Sequence, residues 1–350
     1  VMPVSVLQPV LGALGLTQIR YVAPVRRRRA NGLVAQVYGQ VERDFGVLAP
    51  PVALHAPAPE MLAAAWMLMR ETLIAAGHAP RASKEAVATA VSLGNSCPYC
   101  ASIHNTALGA LGVRDLDRAP GGTGGANLAE LMDWAAPTER QSPAARAAFP
   151  AEQTAELVGV AVLLHYLNRV VNVFLRDVPL PPGMPELALS PVLRVLGWAM
   201  RGAARRSHPA GRSLDLLPAA SLPVDLSWAG GNPAVAQAFG RACDAIDEAG
   251  RRSVPESVRD LVLVNLVDWH GSPRGISRAW VEQLVEGLPG DHRAAGRLAL
   301  LVAFASYQVD PGVVASCRSA GADDLVLVET CSWAAMAAAR WLGGLLPLPQ

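Results

Sequence analysis

Apolar residues recur at helical spacing through almost the whole chain, and no segment alternates apolar and polar residues at the period of a strand. The segments include "PEMLAAAWMLMRETLIAAG", "KEAVATAVSLG", "AELVGVAVLLHYLNRVVNVFL", "AVAQAFGRACDAIDEAG", "ESVRDLVLVNLV", "RAAGRLALLVAFASY" and "DDLVLVETCSWAAMAAARWLGG". Ala, Leu, Glu and Arg fill their turns, and these side chains lose little freedom in a helix. Gly and Pro clusters at 118–125, 179–185 and 229–233 interrupt the pattern. The chain therefore reads as all-α.

A chain of 350 residues, 51% apolar and 17% charged, has room for a large core or two domains. The net charge of +1 gives no bulk field for nucleic acid. The one basic cluster, Arg26 to Arg29, reads as a solvated face or a subunit contact. The segment closest to a membrane span, "LVGVAVLLHYLNRVVNVFL", carries His165, Asn168 and Arg169 in its middle. It reads as a buried helix, and no membrane partner is expected. No secretory signal is visible, so a cytoplasmic location with reduced thiols is expected.

Three pairs of segments resemble each other in the same order, each about 170 residues apart. "APEMLAAAWMLMRETLIAAG" matches "NPAVAQAFGRACDAIDEAG". The helices opened by Glu85 and Glu256 match, as do "AELVGVAVLLHYLNRVVNVFL" and "DDLVLVETCSWAAMAAARWLG". This predicts a half at 1–178, a linker at 179–228 with one helix, "SPVLRVLGWAMRGAARR", and a second half at 229–350. Only the first half has a C-x-x-C; Cys97 and Cys100 align with Asp268 and Gly271.

The candidate site lies in "EAVATAVSLGNSCPYCASIHNTALGALG". Asn95 and Ser96 are good N-cap residues and Pro98 suits a first helical turn, so a helix is predicted to start at the C-x-x-C. Its positive end would favour thiolate at Cys97 and Cys100. Positions 97, 100 and 104 fall on one helix face, which brings His104 to Cys100. Glu85 lies on the preceding helix, and the short "LGNS" break lets it pack towards the sulfurs. Three readings follow. Zinc could take Cys97, Cys100, His104 and Glu85, but the second ligand pair usual for structural zinc is missing. Two inert core thiols are possible, although Pro98 between them is a poor choice for packing. A redox pair with a Glu85–His104 proton relay suits the spacing best. A thioredoxin fold does not fit, because βαβ patterns are missing.

Other residues carry less signal. Cys243, Cys317 and Cys331 read as buried thiols. Lys84 is the only lysine and a poor Schiff-base candidate at a helix start. His165, Tyr166, Asn168 and Arg169 either line a pocket over the sulfurs or satisfy one another within a buried helix. Trp269 and His270 read as structural. "APGGTGGAN" at 119–127 follows no strand and lacks a Lys-Ser/Thr, so it reads as a loop that could act as a lid.

The pattern E-x11-C-P-Y-C-x3-H, set by Glu85, Cys97, Cys100 and His104 in an all-α chain, resembles the alkyl hydroperoxidase D-like group of the carboxymuconolactone decarboxylase superfamily. The detailed match covers about 55–175, and the second half resembles a degenerate copy. The resemblance implies tandem alkyl hydroperoxidase D-like helical repeats and a thiol peroxidase or disulfide oxidoreductase. It further implies that Cys100 attacks the peroxide, Cys97 resolves, and Glu85 and His104 relay the proton, with no cofactor or metal. The substrate would be a small organic hydroperoxide or disulfide. A dithiol, such as a lipoylated protein, would be the reductant, and the chain would form a homo-oligomer. Tyr99 stands where the best-known member has a histidine, which removes one proton carrier. Decarboxylases of the superfamily lack the redox pair, so lactone decarboxylation is not expected. Two alternatives stand beside this reading: a non-peroxidase reaction in specialised metabolism, and a redox-sensing scaffold. The helix dipole by itself favours Cys97 as the activated thiol, whereas the resemblance favours Cys100.

Overall fold

Helices form where the periodicity places them, and among the described residues no strand occurs. The computed structural model describes residues 4–112, 127–136, 147 and 149–349. The first part contains α1 (Val4–Leu16), α2 (Gly32–Asp44), α3 (Pro50–Ala53), α4 (Pro59–Leu68), α5 (Arg81–Gly94), α6 (Pro98–Ala110), α7 (Leu128–Ala135) and α8 (Thr154–Phe174). Helix α9 (Leu189–Ala204) follows, at the position of the helix expected in the linker. The remainder contains α10 (Pro233–Ser253), α11 (Glu256–Leu266), α12 (Ala279–Val285), α13 (Arg293–Ala305), α14 (Pro311–Ser319) and α15 (Asp324–Gly344).

The tandem relationship is visible in the packing. Helix α4 packs on α10, its counterpart in the repeat, and α8 packs on its own counterpart, α15. Within the second half α10 packs on α15; within the first, α8 packs on the π-turn Met69–Ile74 that continues α4. Helices α4, α8, α10 and α15 thus meet where the halves join, and one hydrophobic core runs through both halves. Close approach needs a glycine here: a Cβ on Gly343 would lie 2.4 Å from Val162 Cγ2. Each fully buried Leu or Val on these faces contributes about 1.5–3 kcal/mol. Among the described residues two helices, Ala151–Phe174 and Asp324–Gly344, are long and apolar enough to cross a membrane, but 94% and 72% of their apolar windows are buried inside the fold.

Buried polar groups fix what surrounds this centre. Lys84 Nζ meets Glu156 Oε2 at 2.7 Å and donates to the Ala75 carbonyl, so the only lysine is a buried tie between α5 and α8. Arg70 pairs with Asp44 and Glu71 and donates to the Pro209 carbonyl, while Glu71 accepts from Gly211 and Ser213. The segment after α9 is thereby bolted to the first half. Helix α9 itself packs against α6 and α1.

The halves differ where the repeat was expected to align their sites. In place of α6, residues 267–278 of the second half form an irregular loop with Gly271 and Gly275 at positive φ. Glu256, expected to match Glu85, is exposed at the start of α11, whereas Glu85 is buried. The glycine-rich stretch at 119–126 lies outside the described residues; Asn127 caps α7 by accepting from the Ala129 N–H.

Candidate active site

The site is built on the turn between α5 and α6. Ser96 takes a left-handed conformation with φ 52°. Its N–H donates to the Leu93 carbonyl, and the Cys97 N–H reaches back to the Ser92 carbonyl at 2.9 Å. These are the two bonds of a Schellman motif, with serine where glycine is usual. The expected N-caps are therefore corrected: Cys97 is the N-cap residue of α6, with Pro98 in the first turn. Asn95 instead ends α5, because its amide is drawn inward to His165, Asn168 and Arg169.

Glu85 projects from α5 towards α6, as the short break allows. One carboxylate oxygen accepts from His104 Nδ1 at 2.7 Å, and the other pairs with Arg81 at 2.7 Å. Burial by itself would raise the Glu85 pKa; the Arg81 and His104 interactions outweigh it and hold the carboxyl below its ordinary value. Glu85 is therefore ionised at neutral pH and fixes the orientation of the imidazole. Arg81 escaped the sequence reading, although its four-residue spacing from Glu85 was a signal.

Cys97 and Cys100 are both free thiols and both buried, yet their surroundings differ. Cys100 opens on an apolar cavity of about 60 Å³, and His104 lines the same cavity. Burial pushes the Cys97 thiol well above its ordinary range and the adjoining Cys100 adds to the rise; the Cys100 N–H and the Asn168 side chain oppose them. Activation of Cys97 by the helix end is thus overridden by desolvation. Burial likewise raises Cys243 to about 12 and Cys317 to about 11, as expected for inert core thiols.

Helix α8 sorts its side chains by direction. Leu163, Leu164 and Leu167 line the cavity. Asn168 donates to Ser92 Oγ and accepts from Asn95, which holds it beside Cys97. His165 meets Asn95 rather than the cavity, and burial, reinforced by Arg169, pushes its pKa well below the ordinary value. Tyr166 does not lie over the sulfurs: its hydroxyl meets His55 Nε2 at 2.9 Å and donates to Ser332 Oγ at 3.3 Å, inside the core between the halves. At about 100° per residue, one helix cannot aim positions 164, 165 and 166 at a single cavity. Other walls were not legible as site residues, among them Met69 and Leu73 from the π-turn, Leu196 from α9, and Phe45 and Val47 before α3. Trp269 is buried against Phe304, as a structural residue should be, while His270 is exposed.

No group of three or more His, Cys, Asp or Glu is placed to hold a metal ion among the described residues. Glu85, Cys97, Cys100 and His104 all fall within residues 60–154, the span that matches the model of the carboxymuconolactone decarboxylase family, and the chain belongs to that family. It is 38% identical over 330 residues, covering 93% of this chain and 94% of the relative, to the alkyl hydroperoxide reductase Rv2159c of Mycobacterium tuberculosis. That span includes both halves. No solved structure matches the chain.

Proposed function

We propose that the chain is a thiol-dependent peroxidase that reduces organic hydroperoxides. The observation that carries this reading is the asymmetry of the thiols: Cys100 shares an apolar cavity with His104, and Cys97 lies behind it. The name of the 38% identical relative supports the same chemistry. Beyond Tyr99 a second apolar cavity of about 260 Å³ shares Val47, Pro50, Tyr99 and Leu196 with the first. Such walls suit an alkyl group better than hydrogen peroxide.

In the proposed cycle His104, oriented by Glu85, takes the Cys100 proton, and the thiolate attacks the terminal peroxide oxygen. The O–O bond breaks and the alkoxide leaves as alcohol with the proton carried by His104. Cys100 is left as sulfenic acid. The Cys97 thiol then attacks the Cys100 sulfur, and its proton leaves with the hydroxyl as water. A dithiol, in the form of a protein-bound lipoyl group, reduces the disulfide by exchange. Tyr99 takes no part in proton transfer, since burial raises its pKa further above neutrality.

The test is disulfide mapping by mass spectrometry after one equivalent of cumene hydroperoxide, with and without excess dithiol. A Cys97–Cys100 disulfide is expected, reversed by the dithiol. Cys97→Ser should accumulate a trappable sulfenic acid at Cys100. Full peroxide turnover by Cys100→Ser would overturn the assignment.

A further inference from the structure

A second pocket lies behind the redox turn, on a different side of α8 from the apolar cavity. Its walls come from both halves: Asn95 and Ser96 from the turn, Arg169 from α8, and Trp269, Ser306 and Tyr307 from beyond α10. Its volume is about 30 Å³, and the exposed Tyr307 stands on its rim.

Arg169 is the unusual group in it. Only 5% of the residue is exposed, yet no carboxylate pairs with it among the described residues. Nε donates to the Ala303 carbonyl at 3.0 Å; Nη1 donates to the His165 carbonyl at 2.7 Å and to Asn95 Oδ1 at 3.2 Å. Nη2 has no hydrogen-bond partner among the described residues, and the guanidinium borders the pocket 5.7 Å from the centre of the Trp269 ring. Burial lowers the Arg169 pKa to about 9, which leaves it charged at neutral pH. A buried cation held only by neutral acceptors is costly, because the Coulomb attraction that would offset its lost hydration is missing.

We propose that this pocket binds the carboxylate of a small organic acid, with Arg169 Nη2 as its principal donor. Guanidinium matches a carboxylate in charge and planar geometry. The volume admits a group of only a few atoms. The exposed Tyr307 on the rim offers aromatic surface to the apolar remainder of the acid, which stays outside the pocket. A phosphate dianion would call for a second cation in the pocket. The neighbouring Arg274 instead lies over the Phe304 and Trp280 rings, at 5.0 and 5.3 Å. The site does not depend on the peroxidase reading.

Thermal unfolding of the full chain, titrated with sodium benzoate at pH 7.5 against sodium chloride and sodium phosphate of equal ionic strength, tests the proposal. Benzoate should raise the midpoint saturably, by about 2 °C at ten times its Kd, beyond either control. Arg169→Gln should abolish that response. Asn95→Asp should abolish it as well, because it places an internal counter-charge where Nη1 now donates; it decides the matter if Arg169→Gln fails to fold. A wild-type response no larger than that of chloride, a larger one with phosphate, or a benzoate response retained in these variants would overturn the proposal.

Discussion

Glu85 and His104 lie on successive helices, and their side chains meet at 2.7 Å, with Arg81 closing the other side of the carboxylate. Arg81 and His104 keep the Glu85 carboxyl below its ordinary value of 4.5 in the folded protein. On acidification the unfolded chain therefore takes up this proton first. The stabilisation is complete above about pH 4.5 and is lost as the pH falls through the folded value. Glu85→Gln should accordingly lower the melting temperature at pH 7, with a difference from wild type that shrinks below pH 4.5. Under the proposed cycle it should also cut peroxide turnover by about a hundredfold. A pH-independent difference in melting temperature would contradict the ion-pair account.

Leu196, on α9, lines the cavity that Cys100 opens on and borders both apolar cavities. Leu196→Trp should fill the space that an alkyl group needs. The ratio of kcat/KM for cumene hydroperoxide to that for hydrogen peroxide should fall by about tenfold. An unchanged ratio would show that the organic group binds elsewhere.

Ser96 holds a left-handed backbone in the turn that presents Cys97. Glycine adopts this conformation without the Cβ clash. Ser96→Gly should stabilise the protein by about 1 kcal/mol, read as a higher urea midpoint with an unchanged slope. A lower midpoint would mean that the serine side chain contributes more than the strain costs.

Lys84 is buried against Glu156, which also accepts from the His78 and Ala79 N–H groups. Lys84→Met removes one partner and leaves a buried carboxylate without its cation. The cost should be about 3–5 kcal/mol in urea unfolding. Substitution without loss of stability would show that the pair is replaceable by packing.

Much of the site was legible because it is local. Cys97, Cys100 and His104 are related by the geometry of the first two turns of α6, and Glu85 is tied to them by a break too short to send it elsewhere. The all-α class followed in the same way from periodicity, which reports backbone geometry directly. The N-cap was misread because serine suits both an N-cap and the end of a turn; the choice fell to the Asn95 amide, which bonds residues 70 or more positions away.

Sequence alone determined the helical class and set Glu85, Cys97, Cys100 and His104 on two successive helices, since each depends on spacing along the chain. Only the tertiary structure decided that Cys100 meets a cavity and Cys97 does not, that Tyr166 turns into the core, and that Arg169 stands at a second pocket without a counter-charge among the described residues. Those outcomes depend on which face of α8 meets α5, α9 and α15. Packing between distant segments sets that rotation, and a side chain's burial and electrostatic surroundings follow from it.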